Sequence, residues 1–260
     1  MTVKKWTIPR RIVQLTVIGL IASPLAGLGF FQGNLSSASL FGIDLADPLA
    51  VMQAGLGGRV FAPAFVGTGL LIAVAYLLLG GRTFCGWVCP VYLVTELGEK
   101  LRVRIGTGTR HYPRSWIRWA FAVTLMVSLL TGVPLFEIIS PIGIITRAIM
   151  FTVLMPLLLI GAILVVEVFV ARRIWCRSLC PVGGFYSLLG CVSPVKIRFE
   201  SDACTHCGEC TLVCPVEEVL APCLVEGMKR IASGDCTRCG ACIDACSPGA
   251  LGIGVGGYRS

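Results

Sequence analysis

The sequence has few charged residues. Asp, Glu, Lys and Arg make up 14% of the 260 residues, against 55% hydrophobic residues and a mean hydropathy of +0.84. Soluble domains carry about 25% charged residues. So few charges cannot cover the surface of a 27.7 kDa globule, which favours a protein that meets lipid. The same composition excludes a disordered chain, a collagen-like repeat and a small disulfide-stapled secreted domain.

Histidine is scarce, and several cofactor motifs are absent. The two histidines are His111, in a basic loop, and His206, between two cysteines. They leave no ligand pair for a b-type haem, and without Cys-x2-Cys-His there is no attachment site for c-type haem. The sequence also has neither G-x-G-x-x-G nor a Walker A motif. We therefore expect no haem and no nucleotide.

Apolar runs, by contrast, are long. Four of them could cross a bilayer as helices, which takes about 20 residues. Fourteen Lys and Arg lie before the first run, between the second and third, and after the fourth, against two in the other loops. This bias predicts a multi-pass protein of the bacterial inner (cytoplasmic) membrane with both termini cytoplasmic. The predicted spans, all within a transmembrane domain of residues 1–190, are 12–31, 61–79, 119–136 and 149–170.

The formal net charge of +8 belongs to the flanks of these runs. Residues 191–260 contain six basic and eight acidic residues. With the basic excess assigned to membrane orientation, we expect no nucleic-acid partner.

The apolar part contains a repeat. Residues 82–91, Arg-Thr-Phe-Cys-Gly-Trp-Val-Cys-Pro-Val, match residues 173–182, Arg-Ile-Trp-Cys-Arg-Ser-Leu-Cys-Pro-Val, at an offset of 91 residues. The shared pattern indicates a tandem duplication. Each copy follows a predicted helical hairpin, so the fold class we expect is mainly α, with four transmembrane helices as two tandem hairpins.

The strongest cofactor signal lies in residues 191–260, which we predict to be a small cytoplasmic α+β ferredoxin domain. Its two Cys-x2-Cys-x2-Cys-x3-Cys runs have the spacing of bacterial [4Fe–4S] proteins, where the fourth cysteine of each run serves the other cluster. Zinc sites usually pair Cys-x2-Cys knuckles, and a cytoplasmic location disfavours disulfides. The predicted ligands are Cys204, Cys207, Cys210 and Cys246 for one cluster, and Cys236, Cys239, Cys242 and Cys214 for the other.

The duplicated motifs add four cysteines, Cys85, Cys89, Cys176 and Cys180. A helix that continued through Cys-x3-Cys would place both thiols of a copy on one face. The proline that follows suits the start of a new helix, whose dipole favours thiolate at the second cysteine. These thiols could form a third metal centre, act as a redox pair, help to dock a partner or be inert. Two further cysteines fit neither pattern and are predicted to be structural, namely Cys191 and Cys223.

Glu167 is a carboxylate inside a predicted span, and such groups are functional candidates. It could accept the proton that quinol oxidation releases. Alternatively, it is an interfacial glutamate beside Arg172 or Arg173. Glu137, at the opposite edge of the predicted membrane, is open to the same two interpretations.

Together, these features resemble the NapH family, the ferredoxin-type quinol dehydrogenase component of periplasmic nitrate reductase systems. The resemblance covers nearly the whole chain, including Gly-Asn-Leu-Ser-Ser at 33–37, Asp-Pro-Leu at 47–49, both Cys-x3-Cys-Pro motifs and both cysteine runs. Residues 91–96 depart from the Asn-x-x-Thr-Asp pattern of the family. The related membrane ferredoxins MauN, NosR and CcoG share parts of the arrangement. The chain has no room for the flavin-bearing outer domain of NosR, so no flavin is expected.

The resemblance implies an electron-transfer subunit of a quinol dehydrogenase rather than a stand-alone catalyst. It implies quinol as the substrate, the bilayer and quinol pool as surroundings, and a NapG-like iron–sulfur protein as the partner. Clusters on the cytoplasmic side lie opposite a periplasmic acceptor, so a route across the membrane or a cytoplasmic redox partner is also needed. The alternative is a MauN- or CcoG-like accessory protein that supplies electrons for maturation of a periplasmic redox enzyme.

Overall fold

The structure, a computed structural model, describes residues 5–26, 31–34, 37–40, 43–57, 63–106, 108, 112–134, 136, 140–151 and 157–256. The chain divides into two compact units. Unit 1 comprises Met1–Leu15, Ala75–Val88 and Tyr186–Ser260, and unit 2 comprises Thr16–Val74 and Cys89–Phe185. Unit 1 thus contains the predicted ferredoxin domain together with two earlier segments.

Helices dominate the described chain. They are α1 (Thr7–Ala22), α2 (Pro48–Leu56), α3 (Pro63–Leu79), α4 (Thr83–Trp87), α5 (Val91–Ile105), α6 (Ser115–Thr131), α7 (Pro141–Phe151), α8 (Leu157–Phe169), α9 (Pro181–Val192), α10 (Glu209–Val213), α11 (Ala221–Glu226) and α12 (Ala241–Ala245). The strands are β1 (Phe31–Asn34), β2 (Ser37–Leu40), β3 (Ile43–Ala46), β4 (Val195–Phe199) and β5 (Leu251–Val255).

The prediction of four transmembrane helices is wrong. Within the described ranges, no helix is both long enough and apolar enough to cross a membrane. Helices α3 and α6 have 17 residues each, against about 20 for a span. Apolar composition shows where a hydrophobic run continues but not where its helix stops. Helix α1 gives way to a 3₁₀ turn at Ser23–Ala26, which contains Pro24, and α6 ends at Gly132, whose φ of 66° is left-handed.

In unit 2, helix α5 packs along α8. Gly98 permits the close approach, because a Cβ at this position would lie 3.0 Å from the Cβ of Glu167. Strands β1, β2 and β3 form an antiparallel sheet in chain order. Helix α2 packs against α6 in the same unit. The pairing of α5 with α8 brings polar groups of the two helices together.

In unit 1, the antiparallel pair of β4 and β5 anchors the predicted ferredoxin fold. Ile197 faces Ile253 and Phe199 faces Leu251 across the pair. Side chains alternate along β4, so Ile197 and Phe199 point into the core while Arg198 is exposed. The core between this pair and the short helices is built from apolar residues and cysteines, namely Ile197, Phe199, Cys210, Cys214, Val216, Val219, Leu220, Cys223, Ile231, Cys242, Ala250 and Leu251.

Candidate iron–sulfur centre

The two cysteine runs fold in the same way. In the first run, His206 directly before the second cysteine has a φ of 53°, and Gly208 directly after that cysteine has a φ of 78°. The equivalent residues of the second run are Arg238, with a φ of 46°, and Gly240, with a φ of 75°. A short helix, α10 or α12, then carries the third cysteine, and the fourth follows in extended backbone. Such turns gather backbone N–H groups around an anionic ligand. The N–H of His206 accordingly donates to Sγ of Cys204 at 3.4 Å.

Cysteines of both runs line two cavities in the described part of the chain. Each has about 350 Å³ of empty space, part of it open to solvent. Each combines three cysteines of one run with the fourth cysteine of the other, which is the grouping that the spacing predicts. The cysteines of the first cavity are Cys204, Cys207, Cys210 and Cys246. Those of the second are Cys236, Cys239, Cys242 and Cys214.

Two of the cavity thiols, Cys210 and Cys242, are in surroundings that disfavour an isolated thiolate. Burial raises the pKa of Cys242 and of Cys210, and the other cysteines of each cavity raise it further. Iron binds thiolates, so a positively charged iron–sulfur core would release the protons and neutralise the gathered charge. The residues therefore fit a metal cluster held by four thiolates in each cavity.

The two runs differ in exposure. In the first run, Cys207 and His206 are exposed to solvent. In the second run, Thr237, Arg238 and Cys239 are 6%, 3% and 5% exposed. The first run is therefore the more exposed of the two, whereas other segments of unit 1 cover the second run.

The cover over the second run comes from two distant parts of the sequence. Arg10 Nη1 donates to the carbonyl oxygen of Cys239 at 3.3 Å, and Arg82 Nη1 donates to that of Asp235 at 3.2 Å. Trp87 Nε1 donates to the carbonyl oxygen of Arg238 at 3.1 Å. These three side chains hold the main chain from Asp235 to Cys239, where the second run begins.

The sequence alone did not identify this cover. The sequence indicated Arg10 as a cation that orients a membrane protein, and Arg82 as such a cation and the first residue of a repeat copy, whereas the two side chains are 4% and 2% exposed. Asp244, which accepts from the backbone N–H groups of Trp6 and Thr7 at 3.0 and 2.8 Å, was not singled out. One signal was available, because Arg82 opens the first copy of the repeat and its counterpart Arg173 is also buried.

The first Cys-x3-Cys-Pro copy starts in unit 1. Cys85 lies half-buried in α4, and the next residue, Gly86, faces the second cysteine run. A Cβ on Gly86 would lie 3.0 Å from the carbonyl oxygen of Thr237 and 3.4 Å from Cβ of Cys239. Helix α4 ends at Trp87, so the helix does not continue to the second cysteine of the motif.

The second copy lies in unit 2. Cys176 is within a π-helical turn, Trp175–Leu179, and its Sγ lies 3.8 Å from Oγ1 of Thr95. Cys180 is buried directly before α9, and Pro181 begins that helix. Among the residues that the structure describes, no three Cys, His, Asp or Glu side chains could hold a single metal ion. The third metal centre stays a prediction.

The unassigned cysteines differ from each other. Cys223 belongs to the unit 1 core, where burial raises the pKa of its thiol to about 11. Cys191 is exposed. The structural role predicted for both residues therefore agrees with the surroundings of Cys223, whereas Cys191 lies at the surface.

Glu167 is 1% exposed and accepts hydrogen bonds from the backbone N–H groups of Ile174 and Trp175, each at 3.1 Å. It therefore anchors the chain directly before Cys176. Burial raises its pKa from 4.5 to about 7, against the lowering effects of the Trp175 N–H and the charge of Arg173. Such a carboxyl can exchange a proton near neutral pH. Its role as a proton acceptor stays a prediction, and Glu137 lies outside the described residues.

Glu167 is buried, so it is not an exposed interfacial glutamate beside Arg172 or Arg173. Both guanidinium groups are held by Glu99 of α5, with Nε of each 2.6 Å from a carboxylate oxygen. The Arg173 guanidinium also lies 4.5 Å from the ring centre of Tyr92, in a cation–π contact. The start of the second repeat is thus fixed by a buried ionic cluster.

Comparison with protein families gives two matches. The family profile "4Fe-4S binding domain" matches residues 61–107 and 152–200, once on each copy of the repeat. The profile "4Fe-4S dicluster domain" matches residues 196–247, which contain both cysteine runs. No solved structure gives a significant match.

Curated relatives match over most of the chain. A "methylamine utilization ferredoxin-type protein MauN" from Methylorubrum extorquens AM1 is 38% identical, over 93% of this chain and 86% of the relative. The protein of the same name from Paracoccus denitrificans is 39% identical, over 88% and 83%. The "ferredoxin-type protein NapH" of Escherichia coli K12 is 34% identical, over 94% and 87%.

Proposed function

The chain belongs to the ferredoxin-type family that includes MauN and NapH, and we propose that it passes electrons from quinol through two [4Fe–4S] clusters to a partner redox enzyme. The predicted family is confirmed, and the chain is an iron–sulfur electron-transfer protein. The number of clusters, the quinol and the partner belong to the proposal. The observation that carries it is the pair of cavities, each lined by three cysteines of one run and one of the other.

In this proposal the cysteines named for each cavity are the ligands. A bound [4Fe–4S] cluster supplies a one-electron couple. The chain's own residues hold the clusters and cover the second run more fully than the first. Two one-electron carriers match the two electrons that a quinol gives up.

Adding a quinol analogue to the purified, anaerobic protein tests the electron donor. We expect EPR signals of reduced [4Fe–4S] clusters to develop in step with quinol oxidation. Clusters that are present by iron analysis but unchanged across the potential range of quinols would contradict quinol as the donor. The variant Cys246→Ser is the control, because it removes one ligand of the first cavity and should lower the amplitude of the signal.

A second candidate is an accessory role in maturation of a partner enzyme. It is favoured by the identity to the MauN proteins, 36–39%, which exceeds the 33–34% to the NapH proteins. The NapH relationship instead favours a nitrate reductase system. The double variant Cys89→Ala with Cys180→Ala separates the two roles. Intact quinol oxidation with loss of partner maturation would favour the accessory role, and loss of quinol oxidation with both clusters retained would oppose it.

We also propose that the protein works at the bacterial inner membrane. Large apolar side chains are exposed on its helices, among them Leu71 (67%), Leu130 (77%) and Leu158 (68%). Extensive exposed apolar surface marks contact with a membrane or another protein. Cell fractionation tests this location: we expect the protein in the membrane pellet, and recovery in the supernatant would contradict it.

A further inference from the structure

The two cysteine runs differ in the charges around them. Residues 200–228, which hold the first run, contain six acidic residues and neither Lys nor Arg. The chain as a whole carries a formal charge of +8, so this stretch stands apart. The acidic residues are Glu200, Asp202, Glu209, Glu217, Glu218 and Glu226.

The second run is instead surrounded by buried arginines. Arg10 donates to the main chain at Cys239, within the run, and Arg82 donates to it at Asp235, directly before the run. Arg238, within the run, donates to the carbonyl oxygens of Cys236 at 2.8 Å, Val195 at 3.0 Å and Gly190 at 3.0 Å. All three arginines are less than 5% exposed. In the first run, the position of Arg238 is taken by the exposed His206.

These charges reach the cysteines of the second cavity. Arg238 Nη1 donates to the carbonyl oxygen of Cys236 and Arg10 Nη1 to that of Cys239, so both cations lie beside cysteines of this cavity. Asp235 offsets part of the positive charge, since its carboxylate lies 3.8 Å from Arg82 and accepts from Ser187 at 2.6 Å. Asp244 in the run, and Glu217 and Glu218 on the segment that lines the cavity, are only half-buried. Among the charged groups around the run that are less than 5% exposed, the three arginines exceed the one carboxylate, Asp235.

Reduction of an iron–sulfur cluster adds one negative charge. Buried cations favour that charge strongly because little solvent screens them. Burial away from water by itself raises the free energy of an added charge. The buried arginines lower that free energy because they carry the opposite charge. Glu200 and Glu209 adjoin residues that line the first cavity and disfavour an added electron there, and solvent screens their effect because both are exposed. Net charge and exposure are among the factors that set cluster potentials.

We propose that the arginines poise the cluster of the second cavity at a higher reduction potential than that of the first, so that it holds the electron in the singly reduced protein. The inference rests on the two clusters of the proposed function. The first electron from an external reductant converts the second-cavity cluster from [4Fe–4S]²⁺ to [4Fe–4S]¹⁺, and a further electron reduces the other cluster. An electron that enters at the first cavity, whose run is the more exposed, therefore moves energetically downhill to the second.

An EPR-monitored redox titration of the full-length, two-cluster protein tests this assignment. The wild type should show two separate potentials. Arg10→Gln should make the higher potential more negative and leave the lower one unchanged. In the singly reduced protein, the ratio of molecules with the electron on the second-cavity cluster to those with it on the first-cavity cluster should fall roughly tenfold. Arg10→Lys keeps the charge and should restore most of the difference. The control Arg198→Gln, on the exposed side of β4, should move neither potential.

Equal potentials in the wild type would overturn the inference, and so would an Arg10→Gln variant in which only the lower potential moves or neither does. If Arg10→Gln fails to load iron, Arg82→Gln compared with Arg82→Lys asks the same question. A wild-type protein without two clusters would instead overturn the proposed function, which iron analysis of the same sample detects.

Discussion

At the scale of single residues, Glu167 is a carboxyl whose protonation is changed by burial. Its pKa of about 7 lies above the 4.5 of an ordinary glutamate, so the folded chain binds the proton more tightly than the unfolded chain. The stabilisation is complete below about pH 4.5 and is lost as the pH rises through about 7. Relative to Glu167→Gln, we expect the wild type to lose roughly 3 kcal/mol of unfolding free energy over this range.

Chemical denaturation of both proteins at a series of pH values checks this expectation. Infrared spectroscopy supplies a local readout, because a protonated-carboxyl band should titrate near pH 7 in the wild type and be missing in Glu167→Gln. A difference in stability that does not vary between pH 4.5 and 8 would show that Glu167 titrates as an ordinary surface carboxyl.

Glu99 provides a second residue-scale prediction. Its carboxylate holds Arg173, whose side chain is 5% exposed, so Glu99→Gln leaves a buried cation with less compensation. We expect a loss of about 3 kcal/mol in the free energy of unfolding. The matched control is Glu96→Gln, which breaks the pair with the exposed Lys100 at 3.4 Å and should cost at most about 1 kcal/mol. Equal losses in the two variants would contradict the buried ionic cluster.

At the scale of elements, the cysteine spacing was informative because it is local. Three cysteines within seven residues require a tight turn, and the left-handed residues of each run supply it. Each cavity is lined by three cysteines of one run and the fourth cysteine of the other, and their role as cluster ligands stays a prediction. The helix ends were not predictable from hydropathy, because a proline-containing turn at Ser23–Ala26 and a left-handed glycine at Gly132 decide where α1 and α6 stop.

Gly234 tests the contact between helix α9 and the second cysteine run. A Cβ at this position would overlap the carbonyl oxygen of Ser187 and the backbone nitrogen of Cys191. Gly234→Ala should therefore shift the loop, cost about 1–3 kcal/mol and lower the iron content of the second cavity. Gly252→Ala is the control, because a Cβ there meets nothing within 4 Å. Equal iron content and thermal stability in both variants would refute this contact.

At the scale of the whole molecule, unit 1 combines the ferredoxin runs with segments more than a hundred residues earlier. Sequence reasoning placed the ferredoxin domain in the tail and did not include these segments. The reason is physical: Arg10, Arg82 and Trp87 bind backbone carbonyl oxygens. Every residue type offers such an acceptor, so the contacts leave no pattern in the sequence. The low charge density likewise indicated exposed apolar surface but did not determine helix length.

The proposed electron transfer depends on two cubane clusters held by the eight cysteines of the two runs. The most direct test is the amount of iron and acid-labile sulfide in the full-length protein, purified anaerobically. We expect about eight iron atoms and about eight sulfides per chain. About four of each would contradict the paired cavities, and iron without sulfide would contradict iron–sulfur clusters altogether.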